Sequence, residues 1–144
     1  MMLPLLFAAL TADAADVRFR ETYTCRDRDH FPVTLRATMG YLGQNRCLSV
    51  RGQYSCSWRY VYQGDAVIFV MDKVDAEYRF VGLSPVADPG TRSFVFRRNV
   101  GYRGSETLTV TIRDADGLGR YVLVGDQGVL ERRELICERE DRSE

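Results

Sequence analysis

Lysine and histidine are almost missing from this chain, with one of each, Lys73 and His30, against 19 arginines. A single histidine leaves little material for the acid–base pairs and metal sites that imidazole usually serves. Net charge is missing too, because 20 basic and 20 acidic residues cancel. That balance argues against a nucleic-acid partner, which requires a net basic face for neutralising phosphates. No Cys-x-x-Cys pair occurs among the four cysteines, so the ligand spacing of a zinc site is lacking. The residues imply neither a metal nor a cofactor.

The 144 residues suffice for one domain, and 45% apolar with 28% charged residues is a globular composition. Met1 to Leu10 reads MMLPLLFAAL, an apolar run too short to span a bilayer as a helix. Small residues around Ala12-Asp13-Ala14-Ala15 follow it, which is the pattern of a cleaved export signal. The expected organisation is a signal peptide over 1–14, one domain over 15–138 and a charged tail over 139–144. The expected compartment is the periplasm or the exterior.

Four cysteines in an exported chain suggest two disulfides. Cys47 and Cys56 are symmetric about Arg51-Gly52. If those two residues form a hairpin turn, Val50 faces Gln53, and Cys47 faces Cys56 at a non-hydrogen-bonded site, where cross-strand Cα atoms lie about 4.5 Å apart. Cys25 then pairs with Cys137 by elimination, tying the first mature strand to the last.

Period-two alternation dominates the mature chain. Val17, Phe19, Tyr23 and Cys25 alternate with Arg18, Arg20, Thr22 and Thr24. Val33, Leu35, Ala37 and Met39 form a second such set, and Leu108, Val110 and Ile112 a third. Turn signals fall at Gly40, Gly43, Gln63-Gly64-Asp65, 84–90, 99–104, 114–119 and 125–128. The pattern predicts an all-β antiparallel barrel, or a closely related sandwich, of eight to ten strands. Thr and Arg on the alternate faces leave no lipid-facing band, so a soluble barrel is expected and not a membrane-spanning one. Ala66 to Met71 is apolar at every position and reads as a strand covered on both sides, the favoured reading, or as one facing a partner.

Catalytic signals are thin, and the expectation is a protein that is not an enzyme. His30 lies in a charged stretch, Arg26 to His30, that reads as a hairpin loop. Asp114-Ala115-Asp116-Gly117 begins like a calcium loop, but Gly125 stands where the twelfth-position Glu is needed, so a turn explains it. The richest stripe is Tyr54, Cys56, Trp58, Tyr60 and Tyr62, which share one face of a strand. These rings can fill a barrel interior or form a platform for a sugar, a peptide or a protein loop.

Tyr23-Thr24-Cys25, Val33-Thr34-Leu35, Gly52-Gln53-Tyr54 and Tyr62-Gln63-Gly64-Asp65-Ala66 together resemble the order found in the periplasmic and membrane-associated inhibitors of C-type lysozyme. The resemblance covers residues 23–72. It implies a small antiparallel barrel that occupies a lysozyme cleft through a Ser-Gly-x-x-Tyr loop and an aromatic-x-Lys-Gly turn. Here Arg51 stands in place of the loop Ser, and Gln63 in place of the turn Lys. The expected function is therefore an exported, non-catalytic binding protein of the cell envelope. Its expected partner is a lysozyme-like muramidase or another envelope protein, met by Arg51, Gly52, Tyr54, Trp58, Tyr60, Tyr62 and Gln63. A lipocalin-like carrier of a small ligand is the alternative, and an envelope enzyme the second.

Overall fold

Alternating side chains give each segment one apolar face, and eight such faces are buried by curling the sheet onto itself. The computed structural model describes residues 17–86 and 88–140, and the side chains of Val17, Arg18, Gln44, Trp58 and Arg103 lie outside that description. The expected signal peptide over 1–14 also lies outside the described residues. The strands are β1 (Val17–Asp27), β2 (Val33–Val50), β3 (Gln53–Val70), β4 (Lys73–Ser84), β5 (Thr91–Asn99), β6 (Ser105–Arg113), β7 (Leu118–Gly125) and β8 (Gly128–Arg139). Each runs antiparallel to the next, and β1 pairs with β8 to close the barrel.

The interior is a packed core. Leu35, Met39, Phe80, Phe94, Phe96, Leu108, Ile112 and Tyr121 are fully buried within it. The rings of Phe80, Phe94 and Phe96 touch at tilted angles, 5.4 to 6.3 Å between centroids. Burying each such side chain contributes about 1.5–3 kcal/mol. The outward positions carry exposed Arg20, Arg36, Glu77, Arg79, Arg97 and Arg120 at mid-strand.

Both expected disulfides are present, Cys25–Cys137 and Cys47–Cys56, each with Cα atoms 4.0 Å apart. Arg51 (φ 53°) and Gly52 (φ 78°) make the two-residue turn, with the registers Val50↔Gln53 and Cys47↔Cys56. Positive φ at both central residues is the mark of a type I′ turn, whose twist matches that of the strands it joins. Cys25–Cys137 lies in the β1–β8 seam, a short ladder from Tyr23↔Arg139 to Asp27↔Leu135. Gly119 makes room for it, because a Cβ there would stand 3.1 Å from the Cys137 sulfur and 2.9 Å from the Thr111 carbonyl oxygen.

Several expectations need correction. Gln63-Gly64-Asp65 is not a turn but lies inside β3, where Gly40↔Gln63, Met39↔Gly64 and Thr38↔Asp65 continue the ladder unbroken. Gly40 and Gly43 likewise lie inside β2. Glycine within a strand marks close backbone approach as readily as a turn. A Cβ on Gly64 would stand 2.0 Å from the Thr38 carbonyl oxygen, and one on Gly40 would stand 3.0 Å from that of Phe19. Ala66 to Met71 is not covered on both sides, since Ala66 and Ile68 point inward while Val70 and Met71 are exposed. A barrel wall has only one dry face. The charged tail does not begin at 139: β8 runs to Arg139, and the Glu140 amide donates to the Thr22 carbonyl at 2.8 Å.

Candidate functional site, a projecting hairpin

The pairing of β2 with β1 reaches Gly43, and β3 meets β4 only from Asp65 onward. Between those points, among the described residues, the two longest strands pair only with each other and form a ribbon. The twelve residues of β3 from Gln53 to Gly64 run about 40 Å without a β4 partner, at about 3.3 Å per residue. Two glycines form the fork. Gly64 (φ 121°) is the last β3 residue before β4 pairing begins, and Gly82 (φ 154°) follows a register shift in β4. The Tyr62 ring lies over Gly82, 3.7 Å from where a Cβ would be. Near the tip the two strands are pinned by Cys47–Cys56.

The ribbon has two unlike faces. Tyr41, Tyr54, Cys56, Tyr60 and Tyr62 extend the inward face of the barrel wall past its mouth, while Arg46, Arg59 and Val61 lie on the opposite face. An aromatic chain runs outward from the core. Phe80 meets Tyr62 edge-on at 5.5 Å, Tyr62 meets Tyr41 at 6.3 Å, and Tyr41 meets both Phe19 (5.3 Å, stacked) and Tyr60 (5.5 Å, edge-on). The rings on this face of the ribbon are not core: Tyr60 is 50% exposed and Tyr62 39%, and Tyr54 near the tip is 55% exposed. The expected site residues thus separate. Arg51, Gly52 and Tyr54 occupy the exposed tip, and Tyr60 and Tyr62 the base. Gln63 pairs with Gly40 on the opposite face from the rings. The Trp58 backbone pairs with Asn45 between tip and base, and its side chain lies outside the described residues.

Charge completes the contrast. From His30 to Gly64 the sequence contains Arg36, Arg46, Arg51 and Arg59 and not one Asp or Glu. Whole-chain neutrality hides this segregation. Scanning the sequence for acid-free windows reveals it, whereas counting total charge does not.

Carboxylates inside the barrel are taken up by arginines. Glu21, buried at one mouth, accepts from Arg92 (Nη2 to Oε2, 3.0 Å, with a second contact from Nη1), from the Tyr23 hydroxyl at 2.9 Å and from Arg139 at 3.3 Å. Arg92 also reaches Asp114 at 3.1 Å. Burial works to raise the Glu21 carboxyl, but hydrogen bonds from Arg92 and Tyr23, with the Arg92 charge, outweigh it and hold Glu21 below the usual carboxylate range. Burial and the neighbouring Glu21 push the Tyr23 hydroxyl up to about 12. At the other mouth Arg133 joins Asp27 (2.6 Å), Glu131 (2.8 Å) and the Tyr121 hydroxyl (3.2 Å). These clusters cross-link strands at the two ends of the core.

The other candidate positions have structural explanations. His30 sits exposed in the β1–β2 turn at φ 67°, and the Asp27 carboxylate beside it is taken by Arg133 and the Asp29 amide. Asp116 binds Arg113 and the Leu118 amide, and Gly117 (φ 74°) lies against β8, where a Cβ would meet the Cys137 carbonyl oxygen at 2.3 Å. A shallow groove of about 390 Å³ on the outer wall, bordered by Arg28, Arg113, Arg120 and Glu134, is largely occupied by Arg–carboxylate pairs such as Arg120–Glu134 at 2.8 Å. Among the described residues no cluster of His, Cys, Asp and Glu is arranged to hold a metal ion.

No family model, curated protein or solved structure matches this chain. Fold and site together define its class by geometry: a closed eight-stranded antiparallel barrel with a disulfide-pinned, cationic and aromatic hairpin projecting from one mouth.

Proposed function

We propose that this chain is an exported, non-catalytic binding protein of the cell envelope, acting through the β2–β3 ribbon on an anionic protein surface. One observation carries the proposal: every described side chain from Leu48 to Gln63 is exposed, and the segment joins tyrosines to Arg51 and Arg59 with no acid. Tyr and Arg are the residue types that dominate binding energy at interfaces. A cationic hairpin tip suits insertion into an acidic cleft, which is the chemistry of a muramidase that hydrolyses glycan with paired carboxylates. With Gln63 inside β3, eleven residues and about 36 Å of strand from Gly52, the tip alone would make that contact. Two disulfides with no free cysteine among the described residues support an oxidising compartment. The filled interior supports a surface binder over a ligand carrier.

The test is protection of bacterial walls from a C-type muramidase by the mature protein, beside direct binding measured at low and high salt. Protection lost in Arg51→Glu is the expected result for the muramidase. No binding of the ribbon to any acidic envelope protein recovered by pull-down would remove the proposal.

A further inference from the structure

A strand edge is a row of donors and acceptors, and an unshielded one acts as a template for another strand. In β3, residues alternate between pointing their backbone N–H and C=O at β2 and away from it. The tight turn at Arg51-Gly52 makes Val50↔Gln53 a hydrogen-bonded pair. Ser55 and Val61 therefore bond to β2, while the backbone groups of Tyr54, Cys56 and Tyr62 face the side that β4 leaves at the fork. Among the described residues no strand pairs with this edge before Asp65, and it runs alongside a ribbon whose two faces differ in chemistry.

We propose that this edge of β3 accepts an extended segment of a partner protein as an added strand, with acidic and apolar residues alternating along it. The proposal rests on the ribbon being the contact surface and names how it binds. In an added strand, every second side chain would lie beside the Tyr54 and Tyr62 face, and the intervening ones beside Arg59 on the other. Apolar residues suit the first face and carboxylates the second. A second copy of this chain is the wrong occupant. Edge-to-edge pairing would bring Arg46, Arg51 and Arg59 of two molecules together with no acid on either ribbon. Like charges at an edge are a means by which proteins prevent self-pairing.

The probe is an acetylated, amidated, fluorescein-labelled decapeptide of alternating Val and Glu, titrated by anisotropy against the full mature protein with both disulfides intact. Two companions carry N-methyl groups on either the Val or the Glu residues, which blocks one or the other edge of the peptide without altering its charge. The parent is expected to bind, and one of the two methylated forms to bind about tenfold or more weakly. Hydrogen exchange at the Tyr54 and Tyr62 amides is expected to slow on binding while that at Ser55 and Val61 stays unchanged. Arg59→Glu is expected to weaken the parent peptide, and a Val–Lys peptide to show no binding. Equal affinity for all three Glu peptides, or no protection at Tyr54 and Tyr62, would overturn strand addition while leaving a charge-driven ribbon contact standing. Absence of binding by the parent peptide in a protein that does protect walls from muramidase would also reject strand addition alone.

Discussion

Removing the two disulfides separately should divide the molecule into a barrel and an appendage. Cys25–Cys137 closes a loop with a sequence separation of 112, and Cys47–Cys56 one of 9. In the chain-entropy account these restrict the unfolded chain by about 5 and about 2.5 kcal/mol. The first lies in the short seam that closes the barrel, so its full effect should reach global stability. The second spans a ribbon beyond the β1 and β4 ladders. Without that bridge the ribbon tip frays in the native protein as well as in the unfolded one, and most of the entropy difference cancels. Cys25→Ala with Cys137→Ala should therefore cost up to about 5 kcal/mol, lowering Tm by roughly 15 °C. Cys47→Ala with Cys56→Ala should cost less than about 1 kcal/mol while accelerating hydrogen exchange between residues 44 and 62. Circular dichroism melts of both double variants, with exchange measured on the second, make the comparison. Equal melting shifts would refute the division, because they would place the ribbon inside the cooperative unit.

Arg92→Leu should destabilise by about 2–4 kcal/mol, since it strips the main cation from a buried carboxylate, with Arg139 retaining part of the compensation. Urea unfolding reads the loss, and adding Glu21→Gln should restore part of it. Glu21 and Asp27 both titrate below the usual carboxylate range, so their stabilisation is present above about pH 4, the unfolded value, and is lost as pH falls through their folded values. Tm should fall steeply below about pH 4 and less steeply in Glu21→Gln. Gly64→Ala should cost at least about 3 kcal/mol, because it combines positive φ with a backbone clash against Thr38. Gly52→Ala, at positive φ but in open space, should cost only about 1 kcal/mol.

Period two and cysteine symmetry carried much of the fold. Val33, Leu35, Ala37 and Met39 face inward as their alternation requires, and the Arg51-Gly52 turn sets the register that joins Cys47 to Cys56. Alternation also places Glu21 between Phe19 and Tyr23 on the inward face, but an apolar pattern passes over a carboxylate at that position. Its partner was not legible either, since Arg92 lies 71 residues away and one arginine among 19 carries no local mark. The aromatic stripe shows the same limit. Its shared face follows from spacing, but whether that face is core depends on how far the neighbouring strands extend beside it.

What the amino-acid order determined by itself is local: which side chains share a face, where tight hairpins turn, and which cysteines lie opposite each other across one. Those outcomes follow from backbone geometry over a few residues. The closure of β1 on β8, the arginine-linked mouths and the ribbon's departure from the wall were decided in three dimensions. They depend on where a strand loses its neighbour, and Gly64 and Gly82 set that point only once Thr38 and Tyr62 stand beside them. A glycine in sequence permits a turn, a bend or a close approach, and only the packed neighbours select one.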